Sequence, residues 1–278
     1  MNILITAGGT TEKIDDVRKI TNSATGRLGA TIADCFADFD AVNKIYYICS
    51  EKAKRPNNKI TETLVADNTM ALENVVHYLC ATEQIDVVVH SMAVSDYRVN
   101  TVSTAEVIAD NICSKISDLP DSRLAQVKIL GDESREPETN ESSIRQLVAK
   151  TIIEAETIVS ESPAGIGGKI SSDNDNLVIV MEKTPKIISL FRKYLPNALI
   201  FGFKLLVDVT ESTLIDVAFE LLNKNDCDYV VANDLKTTGQ DNHVAHIVDR
   251  DKNYKTFLGK AKIAEAICSI TMEERIEK

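Results

Sequence analysis

MNILITAGGTTEKIDDVRKITNSATGRLGATIADCF, residues 1–36, decides the fold. An apolar strand, Ile3-Leu4-Ile5, runs into Gly8-Gly9, as at the first turn of a nucleotide-binding βαβ unit. The helix that should follow is delayed. Residues 10–25 are polar, and a helical pattern begins only at Gly26-Arg27-Leu28-Gly29, where Leu28, Ile32 and Phe36 share a stripe. Outward from this unit the same alternation continues. The composition predicts strands over 2–6, 44–49, 61–65, 85–90, 177–182, 198–203 and 228–232. Helical patterns lie between several of them, at 69–82 (Met70, Val75 and Leu79 on one stripe), at 185–195 opened by Thr184-Pro185, and at 211–223 opened by Thr210-Glu211. Near-continuous apolar strands separated by helices predict an α/β, doubly wound, mostly parallel Rossmann-like sheet with helices on both faces. Residues 243–249 and 254–258 flank a polar turn and predict a C-terminal β-hairpin, followed by a last helix over 260–275.

With 278 residues, 44% of them hydrophobic, the chain can bury one large core. We expect a single domain over 1–278 with an insertion at about 100–168, which carries helical patterns at 104–117 and 142–160 and no recognisable chemistry. That insertion reads as decoration of the sheet, or as a lid or dimer arm. No run of 18 apolar residues occurs, and no signal-peptide pattern precedes the first strand, so no membrane partner and a cytoplasmic location are expected. The formal net charge of −11 argues against nucleic-acid binding, which needs a basic face. Six scattered cysteines with no C-x-x-C pair read as reduced core thiols.

Several familiar motifs fail. Gly8-Gly9 is followed by Thr-Thr-Glu-Lys rather than the dinucleotide fingerprint, and no tyrosine has a lysine four positions on. GIGGKISS (165–172) is no P-loop, because Pro163 and Ile170 stand where Gly and Ser or Thr are needed. His243 and His246 with Asp241 and Asp249 have poor spacing for a metal on a strand and read as hairpin residues.

What remains is a set of polar residues at predicted strand ends, where ligands bind in an open α/β sheet. These are Gly8 to Thr11, Ser91-Met92-Ala93-Val94-Ser95-Asp96, Gly202-Phe203-Lys204 and Asn233-Asp234. Each alone reads equally as a turn; four on one edge suggest one site. The delayed helix then has a use. The stretch Thr21 to Gly26 lies at a helix start, where backbone N–H groups and the helix dipole favour an anion. Arg18 lies just upstream to bind a phosphate, and the loop can carry Asn22 over the sheet edge. Ser23 or Thr25 reads alternatively as a plain N-cap.

Taken together, ITAGGT (5–10), DDVRKITNSATGRLG (15–29), AVSDYR (93–98), GKI (168–170), VMEKTPKII (180–188), FGFK (201–204) and VANDL (231–235) resemble phosphopantothenate–cysteine ligase, in family order along nearly the whole chain. A chain starting at this strand looks like the monofunctional form. The resemblance implies a ligase that forms the amide between 4′-phosphopantothenate and L-cysteine through an acyl-nucleotide, releasing pyrophosphate, with Mg²⁺ on the nucleotide phosphates and no metal ligand from the protein. It implies Lys169 at the triphosphate and Asn22 at the acyl-nucleotide as catalytic residues. Arg18, Asn22 and Ala93 would bind the phosphopantothenate part, with Arg18 plausibly reaching across a homodimer. Ser91, Met92, Asp96 (at the ribose), Pro185, Lys186, Ile187, Ile188, Phe203 and Lys224 would line the nucleotide. A second helix lysine of the family falls near Glu220 or Leu221 here, and Gly202 to Leu206 reads between the bacterial and eukaryotic patterns. CTP is expected ahead of ATP. The alternatives are a NAD(P)-dependent reductase, disfavoured by the missing glycine fingerprint, and a non-catalytic nucleotide-binding protein, disfavoured by Asn22 and Lys169.

Overall fold

The computed structural model describes residues 1–117, 141–153, 169–170, 172, 174, 176–238 and 243–276. The predicted helix over 142–160 lies outside them beyond Ile153, as does most of the linker 131–143. The chain divides into two compact units. The first comprises Met1–Thr11, Thr21–Asp96 and Thr184–Lys278, and the second comprises Glu12–Ile20 and Tyr97–Lys183. The sequence suggested one domain with an insertion at about 100–168.

The first unit is built on strands β1 (Asn2–Ala7), β4 (Lys44–Cys49), β5 (Thr61–Val65), β6 (Val87–His90), β9 (Leu199–Leu206), β10 (Tyr229–Asp234), β11 (Val244–Val248) and β12 (Tyr254–Leu258). They form one eight-stranded sheet in the order β12-β11-β10-β9-β6-β1-β4-β5. The six strands from β10 to β5 are mutually parallel, and the β11–β12 hairpin adds to the β10 edge in antiparallel register. The sheet is the predicted doubly wound one. The order runs outward in both directions from the β1/β6 pair, which creates the switch point where such sheets bind ligands.

Helices cover both faces. On one, Ile32 and Phe36 of α1 (Arg27–Ala37) and Ile263 and Ile267 of the C-terminal helix, α7 (Lys260–Ile276), pack on Ile3, Ile5, Val87 and Phe201. On the other, α2 (Thr69–Thr82), α5 (Ile187–Tyr194) and α6 (Glu211–Asn225) pack on Leu4, Val88 and Ile200. The buried stripe of α2 is Leu72, Val76 and Leu79; Met70, expected on it, is 58% exposed. Asn68 and Thr210 cap α2 and α6 through their side chains. Residue 185 does not open α5. The helix begins at Ile187 with Lys186 as its N-cap, and Thr184 instead donates its hydroxyl to the Ser95 carbonyl, 2.6 Å.

The second unit holds β2 (Thr11–Lys13) and β3 (Lys19–Thr21), a two-stranded ribbon, apart from their end residues Thr11 and Thr21, with β7 (Tyr97–Thr104), β8 (Leu177–Lys183), α3 (Ala105–Ser117) and α4 (Glu141–Ile153). Strand β7 pairs antiparallel with β8 from Tyr97↔Lys183 to Thr104↔Leu177, with one irregularity between Val99 and Thr101. This pairing joins the two ends of the excursion within the second unit. All six cysteines are free; Cys49, Cys227 and Cys268 are buried and Cys113 is exposed. Among the described residues no helix is long and apolar enough to cross a membrane.

Candidate functional site at the carboxyl edge of the sheet

In the first unit, the loops that follow β1 and β6 are stitched together. Ser91 and Met92 donate their backbone N–H groups to the Thr6 carbonyl (3.0 Å) and hydroxyl (3.3 Å), and Ala93 N–H donates to the Gly8 carbonyl, 2.8 Å. Thr10 N–H donates back to the Ala93 carbonyl, 3.1 Å, and Ser95 N–H to the Thr10 hydroxyl, 2.8 Å. These bonds satisfy backbone groups that strand ends leave open, and they fix residues 91–96 over the sheet edge.

Asn22 joins this web. Its backbone N–H donates to the Thr10 carbonyl, and its side-chain amide donates to the Ala93 carbonyl, each 3.1 Å. The approach is close enough that Gly9 is obligatory: a Cβ there would lie 2.0 Å from the Asn22 carbonyl oxygen. The polar delay therefore returns from the ribbon to lie on the loop after β1. Its end differs from the plain N-cap reading. Gly26, in the left-handed region at φ 70°, is the N-cap of α1, and no side chain caps that helix.

A cavity of about 340 Å³ opens beside this web. It brings together Ser91, Met92, Ala93, Asp96, Pro185, Lys186, Ile187, Ile188 and Phe203, nine of the residues singled out from sequence. Asn22 is not in the lining, but its neighbour Ala24 is. Lys224 is exposed in the last turn of α6 and is not among the lining residues, whereas Leu221 of the same helix is. Arg18 and Lys169 belong to the second unit. There Arg18 forms a two-pronged pair with Asp15, Nε at 2.9 Å and Nη2 at 2.7 Å, and Lys169 is exposed.

The charges of the cavity are unevenly committed. Lys186 is paired with Asp96. Lys204, half-buried on β9, meets no carboxylate among the described residues. His90 closes the inner end. It shares a hydrogen bond with Thr6 Oγ1 through Nδ1, 2.7 Å, and lies edge-on to Phe191; burial pulls its pKa down to about 4, so it is neutral at ordinary pH. His90, Lys204, Leu221 and Asn233 were not assigned roles from sequence. Lys204 and Asn233 carry the signal of standing at strand ends, but His90 and Leu221 read as ordinary interior residues until α5 and α6 are packed against the sheet. Asp15 was missed as well, although an acid three residues before an arginine in a turn is a recognisable pairing.

Elsewhere, His246 shares a hydrogen bond with Thr256, 2.9 Å, and no group of three or more His, Cys, Asp or Glu that could hold a metal occurs among the described residues.

Comparison with known proteins places this architecture. The chain spans about half the length of the curated relatives it matches. One is the coenzyme A biosynthesis bifunctional protein CoaBC of Thermococcus kodakarensis, 27% identical over 90% of this chain and 45% of that protein. A crystal structure described as the DNA/pantothenate metabolism flavoprotein of Streptococcus pneumoniae is 30% identical, covers 99% of each chain and superposes with a TM-score of 0.74. A Cab2 mutant in complex with phosphopantothenate-cysteine, 16% identical, shares the fold with a TM-score of 0.61 over 99% of this chain and 86% of that one. The model of the DNA/pantothenate metabolism flavoprotein C-terminal domain matches residues 1–119 and 162–274. With most of its length accounted for by that model, the chain belongs to the family of DNA/pantothenate metabolism flavoprotein C-terminal domains.

Proposed function

We propose that this chain is a phosphopantothenate–cysteine ligase of coenzyme A biosynthesis. The observation that carries the reading is the cavity at the carboxyl edge of the sheet, lined by residues 91–96, Pro185 to Ile188 and Phe203, beside an asparagine fixed by two hydrogen bonds. The relatives named CoaBC and the Cab2 complex support it.

The reaction proceeds in two displacements. A carboxylate oxygen of 4′-phosphopantothenate attacks the α-phosphorus of CTP, or of ATP, and pyrophosphate leaves. The amine of L-cysteine then attacks the acyl carbon, loses a proton, and expels the nucleoside monophosphate to leave the amide. A carboxylate is a poor electrophile, and the nucleotidyl ester supplies the leaving group. CTP is the expected nucleotide.

The family resemblance assigns the residue roles. Lys169 offsets charge on the triphosphate, and losing one preorganised contact of that kind costs roughly 10²–10³ in rate. Asn22 holds the acyl-nucleotide for attack, and Arg18 grips the substrate phosphate, within one subunit or across a homodimer. Asp96 faces the ribose, with Ser91, Met92, Pro185, Lys186, Ile187, Ile188 and Phe203 around the nucleotide and Lys224 nearby, while Ala93 joins Arg18 and Asn22 at the phosphopantothenate part. Mg²⁺ would be carried by the nucleotide's own phosphate oxygens, where it neutralises their charge. Cytoplasmic location fits a pathway of soluble metabolites.

The test is pyrophosphate release by the purified chain with 4′-phosphopantothenate, with CTP and ATP in separate reactions, with and without cysteine. Release that requires phosphopantothenate, and product amide that requires cysteine, is expected. No release with either nucleotide overturns the reading.

A further inference from the structure

Within the second unit, one buried carboxylate holds two segments that lie 152 residues apart in the chain. Asp15 Oδ1 accepts from the backbone N–H groups of Val17, 2.8 Å, and Arg18, 2.6 Å. Its Oδ2 accepts from Arg18 Nε and Nη2, and from the backbone N–H of Ile170, 3.2 Å. Arg18 Nη2 also donates to the Ile170 carbonyl, 2.8 Å. Ile170 is thus gripped at both its N–H and its C=O, and its own side chain is buried. The residue before it is Lys169. The Asp15 side chain is 0% exposed and that of Arg18 is 38%, so the carboxylate is fully enclosed while the arginine side chain stays partly open to solvent. Nη1 of Arg18 has no partner among the described residues.

We infer that Asp15 is a positioning residue: its single carboxylate aims the guanidinium of Arg18 and anchors the backbone that carries Lys169, so that both cations are set by one clamp. The inference rests on the ligase reading for what those cations bind. A guanidinium held along one edge by a carboxylate presents its other edge in a fixed direction, which suits a phosphate. A lysine whose neighbouring peptide is held at both ends loses less freedom on engaging a polyphosphate than one on a free loop. Donation from the Arg18 backbone N–H, with the guanidinium and the Val17 and Ile170 N–H groups, keeps the carboxyl well below the usual carboxylate range, so the clamp stays ionised.

Asp15→Asn is the discriminating variant. Asparagine can keep Oδ1 and so preserve the turn at Val17 and Arg18. Its amide nitrogen then stands where Oδ2 received three donors, and the clamp to Arg18 and Ile170 opens. Hydrogen exchange at the Ile170 amide reads the clamp without requiring activity, and faster exchange is expected. In steady state, the KM for 4′-phosphopantothenate should rise about tenfold and kcat for pyrophosphate release should fall by roughly 10²-fold. Affinity for the nucleoside monophosphate, whose cavity lies wholly in the other unit, should not change. Combined with Lys169→Gln, Asp15→Asn should cost little further in kcat, because both changes remove the same contact. Arg18→Lys is the second variant. It keeps a cation but cannot span Asp15 and Ile170, and it should likewise lower kcat. Faster exchange at Ile170 with unchanged KM and kcat, or unchanged exchange, overturns the inference. Absence of pyrophosphate release by the unmodified chain overturns the ligase reading instead, and the exchange result still decides whether the clamp exists.

Discussion

Replacing Gly9 with alanine tests the web that holds Asn22. Gly9 is not among the residues at positive φ, so alanine meets no backbone penalty and the argument is purely steric. The new Cβ would lie 2.0 Å from the Asn22 carbonyl oxygen, 3.0 Å from its carbonyl carbon and 3.4 Å from its Cβ. Ordinary contact begins near 3.4 Å, so the Asn22 carbonyl must retreat by about 1.4 Å. That movement stretches both 3.1 Å bonds that fix the residue, from its N–H to Thr10 and from its amide to Ala93. Overpacking of this kind costs about 1–3 kcal/mol, a fall of roughly 2–10 °C in Tm for a chain of this size. A displacement near 1 Å of a positioning group costs about 10²-fold in rate. If Asn22 holds the acyl-nucleotide, the loss falls mainly on the second step. Pyrophosphate release measured alone should survive better than amide formation followed by mass spectrometry, and acyl-nucleotide should accumulate. Wild-type amide formation in a Gly9→Ala protein whose Tm has dropped would refute the role of Asn22. Wild-type values for both would refute the packing.

Lys204→Met removes the cavity's uncommitted cation. Because a hydrogen bond to a charged group contributes about 1.5–3 kcal/mol, the KM for the nucleoside triphosphate should rise roughly 10–100-fold while monophosphate affinity, measured by calorimetry, holds; equal losses for both would remove Lys204 from the polyphosphate. His90 gives a pH dependence of stability. Buried as a neutral ring with its pKa near 4, it refuses a proton that the unfolded chain, at about 6.5, accepts. The unfolded state therefore binds more protons between those values, and folding stability falls as pH drops from about 6.5 toward 4, by about 3 kcal/mol over the window. Denaturant melts at pH 7, 5.5 and 4.5 should show a smaller decline for His90→Gln than for the unmodified chain, and parallel declines would contradict the assignment.

The sequence by itself determined the layered sheet, its hairpin edge and most of the cavity's lining. Those features are written locally. An apolar run such as 85–90 can only be a buried strand, and in a parallel sheet the residues that follow it, Ser91 to Asp96, must emerge on the carboxyl edge beside those that follow β1. Ser91 to Asp96, Phe203, Lys204 and Asn233 were legible in this way, whereas Pro185 to Ile188 were named only through the family resemblance. Tertiary structure alone decided the rest, because it depends on partners distant in the chain. Strand β7 finds β8 eighty or so positions later, at a pairing energy that no local pattern records. Residues 12–20 fall in the same compact unit as that pair. Asp15 read as one acid among many in a polar loop, until folding brought the Ile170 peptide to its carboxylate. Met70 illustrates the limit from the other side: helical periodicity grouped it with Val75 and Leu79, but packing against the sheet buries Leu79, half-buries Val75 and leaves Met70 exposed.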